Sequence, residues 1–95
     1  MNKLENLLTT LGEESAEIIK CCSKANRFGL LTIQPGKSET NEDQLWAEVN
    51  DFLGTLEKLA ELTGRDGVAH QAIQAKKEKI EQYFEVSRKL GTLQD

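Results

Sequence analysis

Apolar residues at helical spacing, in three blocks, constrain this chain more than any other feature. Between residues 3 and 27, Leu4, Leu7, Leu8, Leu11, Ser15, Ile18, Cys22 and Ala25 follow the i, i+3, i+4, i+7 pattern of one helix face. Leu45, Val49, Phe52, Leu53, Leu56, Leu59 and Ala60 form a second stripe, with Trp46 on its far margin. Ala69, Ala72, Ile73, Ile80, Tyr83, Phe84 and Ser87 form a third, which contains Lys76 and has Lys79 near its edge. The pattern predicts an all-α fold with three long helices over about 3–27, 42–64 and 66–88. A short C-terminal segment follows, and residues 28–41 form a loop punctuated by Gly29 and Pro35-Gly36.

Local signals sharpen the ends. Asn41 is a strong N-cap, with Gln44 placed to close a capping box. Gly64 suits a C-terminal stop, Asp66 is placed to cap the third helix, and Gly91 breaks it. Leu30, Leu31 and Ile33 give the loop enough apolar character to pack as an extended lid or a short strand. A loop joining two helices favours an antiparallel hairpin, so an antiparallel bundle is the expected architecture.

Ninety-five residues make one domain, 1–95, and 38% hydrophobic content is low for a self-sufficient core. Oligomerisation is the expected way to complete it. The net charge of −4 argues against a nucleic-acid partner, and the absence of an 18-residue apolar run argues against a membrane span. Early acids, Glu5 and Glu13-Glu14, do not resemble a signal peptide, and the adjacent Cys21 and Cys22 make neither a disulfide framework nor a CxxC motif. A reducing cytoplasm is the expected setting.

The helices carry two carboxylate pairs, Glu14/Glu17 and Glu48/Asp51. Residues at i and i+3 lie about 60° apart on one helix face. Glu14 and Glu48 each sit at the edge of an apolar stripe, with Glu17 and Asp51 one step further out in the same rotational sense. In an antiparallel hairpin, matching edges fall on one side, so the two pairs should face each other across a groove. Folding alone does not ask for four like charges in one place. Hard divalent cations do, and oxygen ligands suit Mg²⁺ or Mn²⁺ shared with substrate phosphates. The plain alternative is that ExxE and ExxD are solvated helix surface. No Ser/His/Asp or Cys/His set competes, since His70 is the only histidine, and no Walker-type loop is present.

The run Glu13-Glu14-Ser15-Ala16-Glu17 followed by Glu48-Val49-Asn50-Asp51 resembles the EExxE…ExxD pattern of the MazG-like nucleoside triphosphate pyrophosphohydrolases. The flanks Leu11–Lys20, Arg27-Phe28-Gly29, Thr40-Asn41 and Lys79…Tyr83…Ser87–Gly91 look like small single-domain phage and bacterial members. The resemblance implies an all-α homodimer or dimer of dimers. It implies Mg²⁺-dependent cleavage of a nucleoside triphosphate to monophosphate and pyrophosphate. Glu14, Glu17, Glu48 and Asp51 would hold the metal, one of them serving the attacking water, with Glu17 the first choice. Lys79, or else Lys76, would contact phosphate. The 30 residues between Glu17 and Glu48 exceed the spacing in many members, and Lys77 and Gln82 stand where the family often has Asn and Arg.

Two further side chains are candidate substrate contacts. Trp46 could stack on a base, although a margin Trp also suits core or interface, and Arg27 could reach phosphate oxygens. The other function class is a non-catalytic helical dimerisation module or nucleotide sensor.

Overall fold

The computed structural model describes residues 1–95, and every regular element in it is helical. Helix α1 spans Lys3–Phe28, α2 spans Asn41–Thr63 and α3 spans His70–Leu90. No helix is long and apolar enough to cross a membrane. The chain forms two compact units, Met1–Arg65 and Asp66–Asp95.

In the first unit, α1 and α2 pack along a shared seam. The half-buried positions of α1 include Leu7, Leu11, Glu14, Ile18, Cys21 and Ala25, and those of α2 include Leu45, Glu48, Val49, Phe52, Leu56 and Leu59. Leu7 shares a cavity with Leu62, whereas Ala25 shares one with Leu45. The two helices therefore run in opposite directions along the seam. No hydrophobic side chain is fully buried, and the only residue that is buried is polar, Asn41 at 2% exposure.

Asn41 explains how the seam is closed at the loop end. It is not the N-cap. Thr40 takes that role, with Asp43 completing the capping box through reciprocal bonds of 3.0 and 3.4 Å. The Asn41 side chain is thereby released inward, where Nδ2 donates to the Gly29 carbonyl at 2.8 Å. The backbone N–H groups of Asn41 and Glu42 donate to the carbonyls of Thr32 and Leu30. These loop carbonyls satisfy donors that a helix N-terminus leaves without intrahelical partners. They are then unavailable for a ladder, so Leu30 and Leu31 form a turn, and residues 32–34 run irregularly without the strand their composition allowed. Leu31 and Ile33 remain 73% and 54% exposed, so they do not pack as a lid either.

Gly29 ends α1 at φ 105°, and its N–H donates to Ala25. A Cβ placed there would lie 2.6 Å from Thr32 Oγ1, which itself donates to the Phe28 carbonyl. Gly64 closes α2 in the left-handed conformation, as its position implied.

In the second unit, α3 begins at His70, three residues later than an Asp66 cap predicts. Val68 N–H donates to the Asp66 carbonyl around Gly67 at φ 79°, so this stretch is a turn. Ala69 stands at the N-cap with no side-chain bond. Gly91 ends α3 in the left-handed conformation, and Thr92 N–H returns to the Ser87 carbonyl. Apart from Ser87, every residue of α3 is exposed, including the stripe residues Ile73, Ile80, Tyr83 and Phe84.

Two glycines in the first unit separate conformational need from tolerance. Gly29→Ala forces an L-residue into strained backbone and a clash, and it should destabilise the fold by about 1–3 kcal/mol. Gly12 lies inside α1 with nothing within 4 Å of a built Cβ. Gly12→Ala should stabilise by up to about 1 kcal/mol. Urea denaturation followed by circular dichroism measures both, and equal midpoints for the two variants would contradict this account.

Candidate metal centre

Three of the four carboxylates meet. One oxygen from each of Glu14, Glu48 and Asp51 lies within 4.8 Å of the others. Glu14 comes from the α1 seam, Glu48 from the α2 seam, and Asp51 from one turn further along α2. Glu14 and Glu48 are half-buried and Asp51 is exposed. Glu17 lies one turn beyond Glu14, exposed and outside this group of three.

The electrostatics record the crowding. Glu14 is pushed above the ordinary carboxylate value of 4.5. Desolvation on the seam is the largest cause, followed by the negative charges of Asp51, Glu48, Glu17 and Glu13. Neither of the chain's two ion pairs relieves the cluster, because Lys58–Glu61 and Arg88–Glu85 lie elsewhere. Cys21, two helical turns from Glu14 on the same seam, is pushed up by burial and then by the Glu48 charge, with Lys24 acting in the opposite direction.

Hard oxygen donors with no cationic partner suit a hard divalent cation. Octahedral Mg²⁺ has Mg–O distances of 2.0–2.1 Å, so opposite ligand oxygens stand about 4.2 Å apart. Only one pair among three ligands can be opposite, and adjacent ones stand about 2.9 Å apart, so oxygens within 4.8 Å of one another must still draw together by rotation of their flexible side chains. The donor set therefore suits such an ion in chemical type.

The other anticipated residues lie as follows. Trp46 is 57% exposed and, at 100° per residue, faces about 160° away from Glu48 around α2. It is not brought to the carboxylates within the first unit. Arg27 is exposed at the end of α1, its guanidinium 4.9 Å from the Phe28 ring centroid. Lys76 and Lys79 belong to α3 in the second unit, where Lys79 Nζ lies 5.9 Å from the Tyr83 ring centroid. Cys21 was not anticipated as a neighbour of the cluster, whereas Lys20 and Lys24 were expected near the first carboxylates as ion-pair partners of acids one turn away, and neither makes an ion pair. Lys24 repeats the azimuth of Glu17 seven residues later.

Comparisons of the chain with protein-family models, curated proteins and solved structures find no match.

The raised Glu14 value has a defined sign. Such a group contributes stability that is fully present below its unfolded value, near 4.5, and lost as pH rises through the higher folded value. With divalent ions chelated, Glu14→Gln should therefore melt higher than wild type at pH 7, and the gap should close below pH 4.5. Thermal unfolding across this range checks it. A variant that melts lower at neutral pH would show that the Glu14 charge is already compensated.

Proposed function

We propose that the chain is a Mg²⁺-dependent nucleoside triphosphate pyrophosphohydrolase, with Mn²⁺ as a possible substitute ion. It would convert a ribo- or deoxyribonucleoside triphosphate to the monophosphate and pyrophosphate. The observation that carries the reading is the convergence of Glu14, Glu48 and Asp51 from two helices with no cation to compensate them. The resemblance of the EExxE…ExxD pattern to MazG-like enzymes supplies the reaction class.

In this reading Glu14, Glu48 and Asp51 hold the ion. A divalent cation supplies charge neutralisation for phosphate oxygens and acidifies water. Glu17 lies on the same edge of α1 and outside the group of three, and in this reading its carboxylate accepts the proton of the attacking water. Lys79, with Lys76 as the alternative, would contact phosphate from α3, Arg27 from the end of α1, and Trp46 would stack on the base. The cytoplasm, where nucleoside triphosphates are made and used, is the proposed setting.

The proposal includes a homodimer or dimer of dimers, with the three helices in an antiparallel bundle completed by the partner copy. Its support is that no hydrophobic residue is fully buried, while Ile19 and Leu90 are 69% and 72% exposed. Light scattering should give at least twice the 10.6 kDa chain mass. A monomer at micromolar concentration would refute this part.

The same exposed apolar faces favour the second reading, a helical interaction module in which the carboxylates are solvated surface. Divalent metal separates the two. An ion that binds only the folded state raises the melting temperature. Wild type should therefore be stabilised by Mg²⁺ and Glu48→Gln should not.

Turnover is tested by pyrophosphate release from the eight common ribo- and deoxyribonucleoside triphosphates, with Mg²⁺ and with chelator. Glu17→Gln should lower the rate by at least about 100-fold, the lower end of what a general base contributes, and Asp51→Asn, which removes a ligand of the ion, should lower it at least as far, while far-UV helical signal persists in both. Wild-type rates in both variants would overturn the site assignment.

A further inference from the structure

Of the chain's 12 lysines and arginines, Lys24 alone is not fully exposed. It makes no ion pair, and the nearest acid on its own helix, Glu17, lies two turns away. At 100° per residue it falls about 20° from the azimuth of Glu17, two turns further along α1. Helical side chains lean toward the N-terminus, which carries the Lys24 stem back over Cys21 toward Glu17. The Lys24 charge acts on the Cys21 thiol in opposition to Glu48 and Glu17, which places all four groups in one electrostatic neighbourhood.

The edge of the seam thus reads, along α1, as Glu14, Glu17, Cys21 and Lys24, with Glu48 and Asp51 opposite the first of these. An ammonium beside a bare divalent ion is electrostatically unfavourable. An ammonium displaced from the ion along the groove is favourable when the bound species is an extended anion that joins the two. Lys24 lies ten residues beyond Glu14, about 15 Å of helix rise, an offset that a lysine stem and an extended chain of phosphates span together and a single phosphate does not. We propose that Lys24 is a polyphosphate contact of this site. Its ammonium donates to non-bridging oxygens of a di- or triphosphate whose other end meets the ion held by Glu14, Glu48 and Asp51. The inference rests on the metal-site reading above and assigns the contact to the first unit itself, in addition to the lysines of α3.

The test uses the full chain with Lys24→Met, which keeps the apolar stem and removes the charge, and Lys24→Arg, which keeps the charge. Calorimetry measures binding of the Mg²⁺ complexes of the four common deoxynucleoside triphosphates and of inorganic tripolyphosphate. Electron paramagnetic resonance measures Mn²⁺ binding without phosphate. Losing a charge-assisted hydrogen bond should weaken binding about 10- to 100-fold in Lys24→Met. The loss should be similar for all four bases and for tripolyphosphate, with Mn²⁺ affinity retained. Lys24→Arg should recover most of it.

Unchanged polyphosphate binding in Lys24→Met overturns the proposal. So does a parallel loss of Mn²⁺ binding and helical signal, which would make Lys24 a packing residue. Wild type that binds Mn²⁺ but no polyphosphate removes the Lys24 contact while the carboxylate site stands. Wild type that binds no Mn²⁺ removes the carboxylate reading and this one with it.

Discussion

The seam between α1 and α2 is the contact on which the first unit depends. Its half-buried positions advance by alternate steps of four and three, through Leu7, Leu11, Glu14, Ile18, Cys21 and Ala25 on α1. This is the spacing that keeps one helix face against a partner. Leu45, Glu48, Phe52 and Leu59 keep the same face on α2. One place on each helix is given to a glutamate where an apolar residue would add burial without repulsion. The two glutamates, joined by Asp51, come within 4.8 Å of each other. The seam therefore gives up stability at the height where the carboxylates meet, and the raised Glu14 value is the electrostatic trace of that concession. Local conflict of this kind is expected where a site serves a ligand.

The loop end of the seam is held by polar contacts, not apolar ones. Gly29 terminates α1, and Asn41 begins α2 with its side chain bound to the Gly29 carbonyl. Together with the Leu30 and Thr32 carbonyls accepting from α2, this fastens the end of one helix to the start of the next. The register that brings Glu14 level with Glu48 and Asp51 is fixed from this end. The Asn41 Oδ1 atom is buried without a partner, so the clamp satisfies the amide on one side only. An unsatisfied buried acceptor carries a cost, which underlines how much the other bond has to hold.

Much of this was legible from residues a few positions apart. Helix number and most helix ends follow from periodicity and from end signals such as Gly64 and Gly91, which act over a single turn. The failures were also informative. Thr40 and Asn41 are adjacent and both good caps, and nothing within one turn chooses between them. The choice was made by Gly29, 12 residues away, whose carbonyl takes the Asn41 amide. Asp66 was a plausible cap until the turn at Gly67 displaced the start of α3 to His70.

The sequence by itself determined that the chain is helical and that Glu14, Glu17, Glu48 and Asp51 lie on matching stripe edges. Both are consequences of the 3.6-residue repeat, which any short window displays. Only the tertiary structure decided that Glu14, Glu48 and Asp51 close into a group of three while Glu17 stays outside it. It alone showed that Lys24 sits half-buried further along α1 without an ion pair. Those outcomes depend on the height at which two helices pass and on side-chain reach across the seam. Neither is encoded in the spacing along either helix.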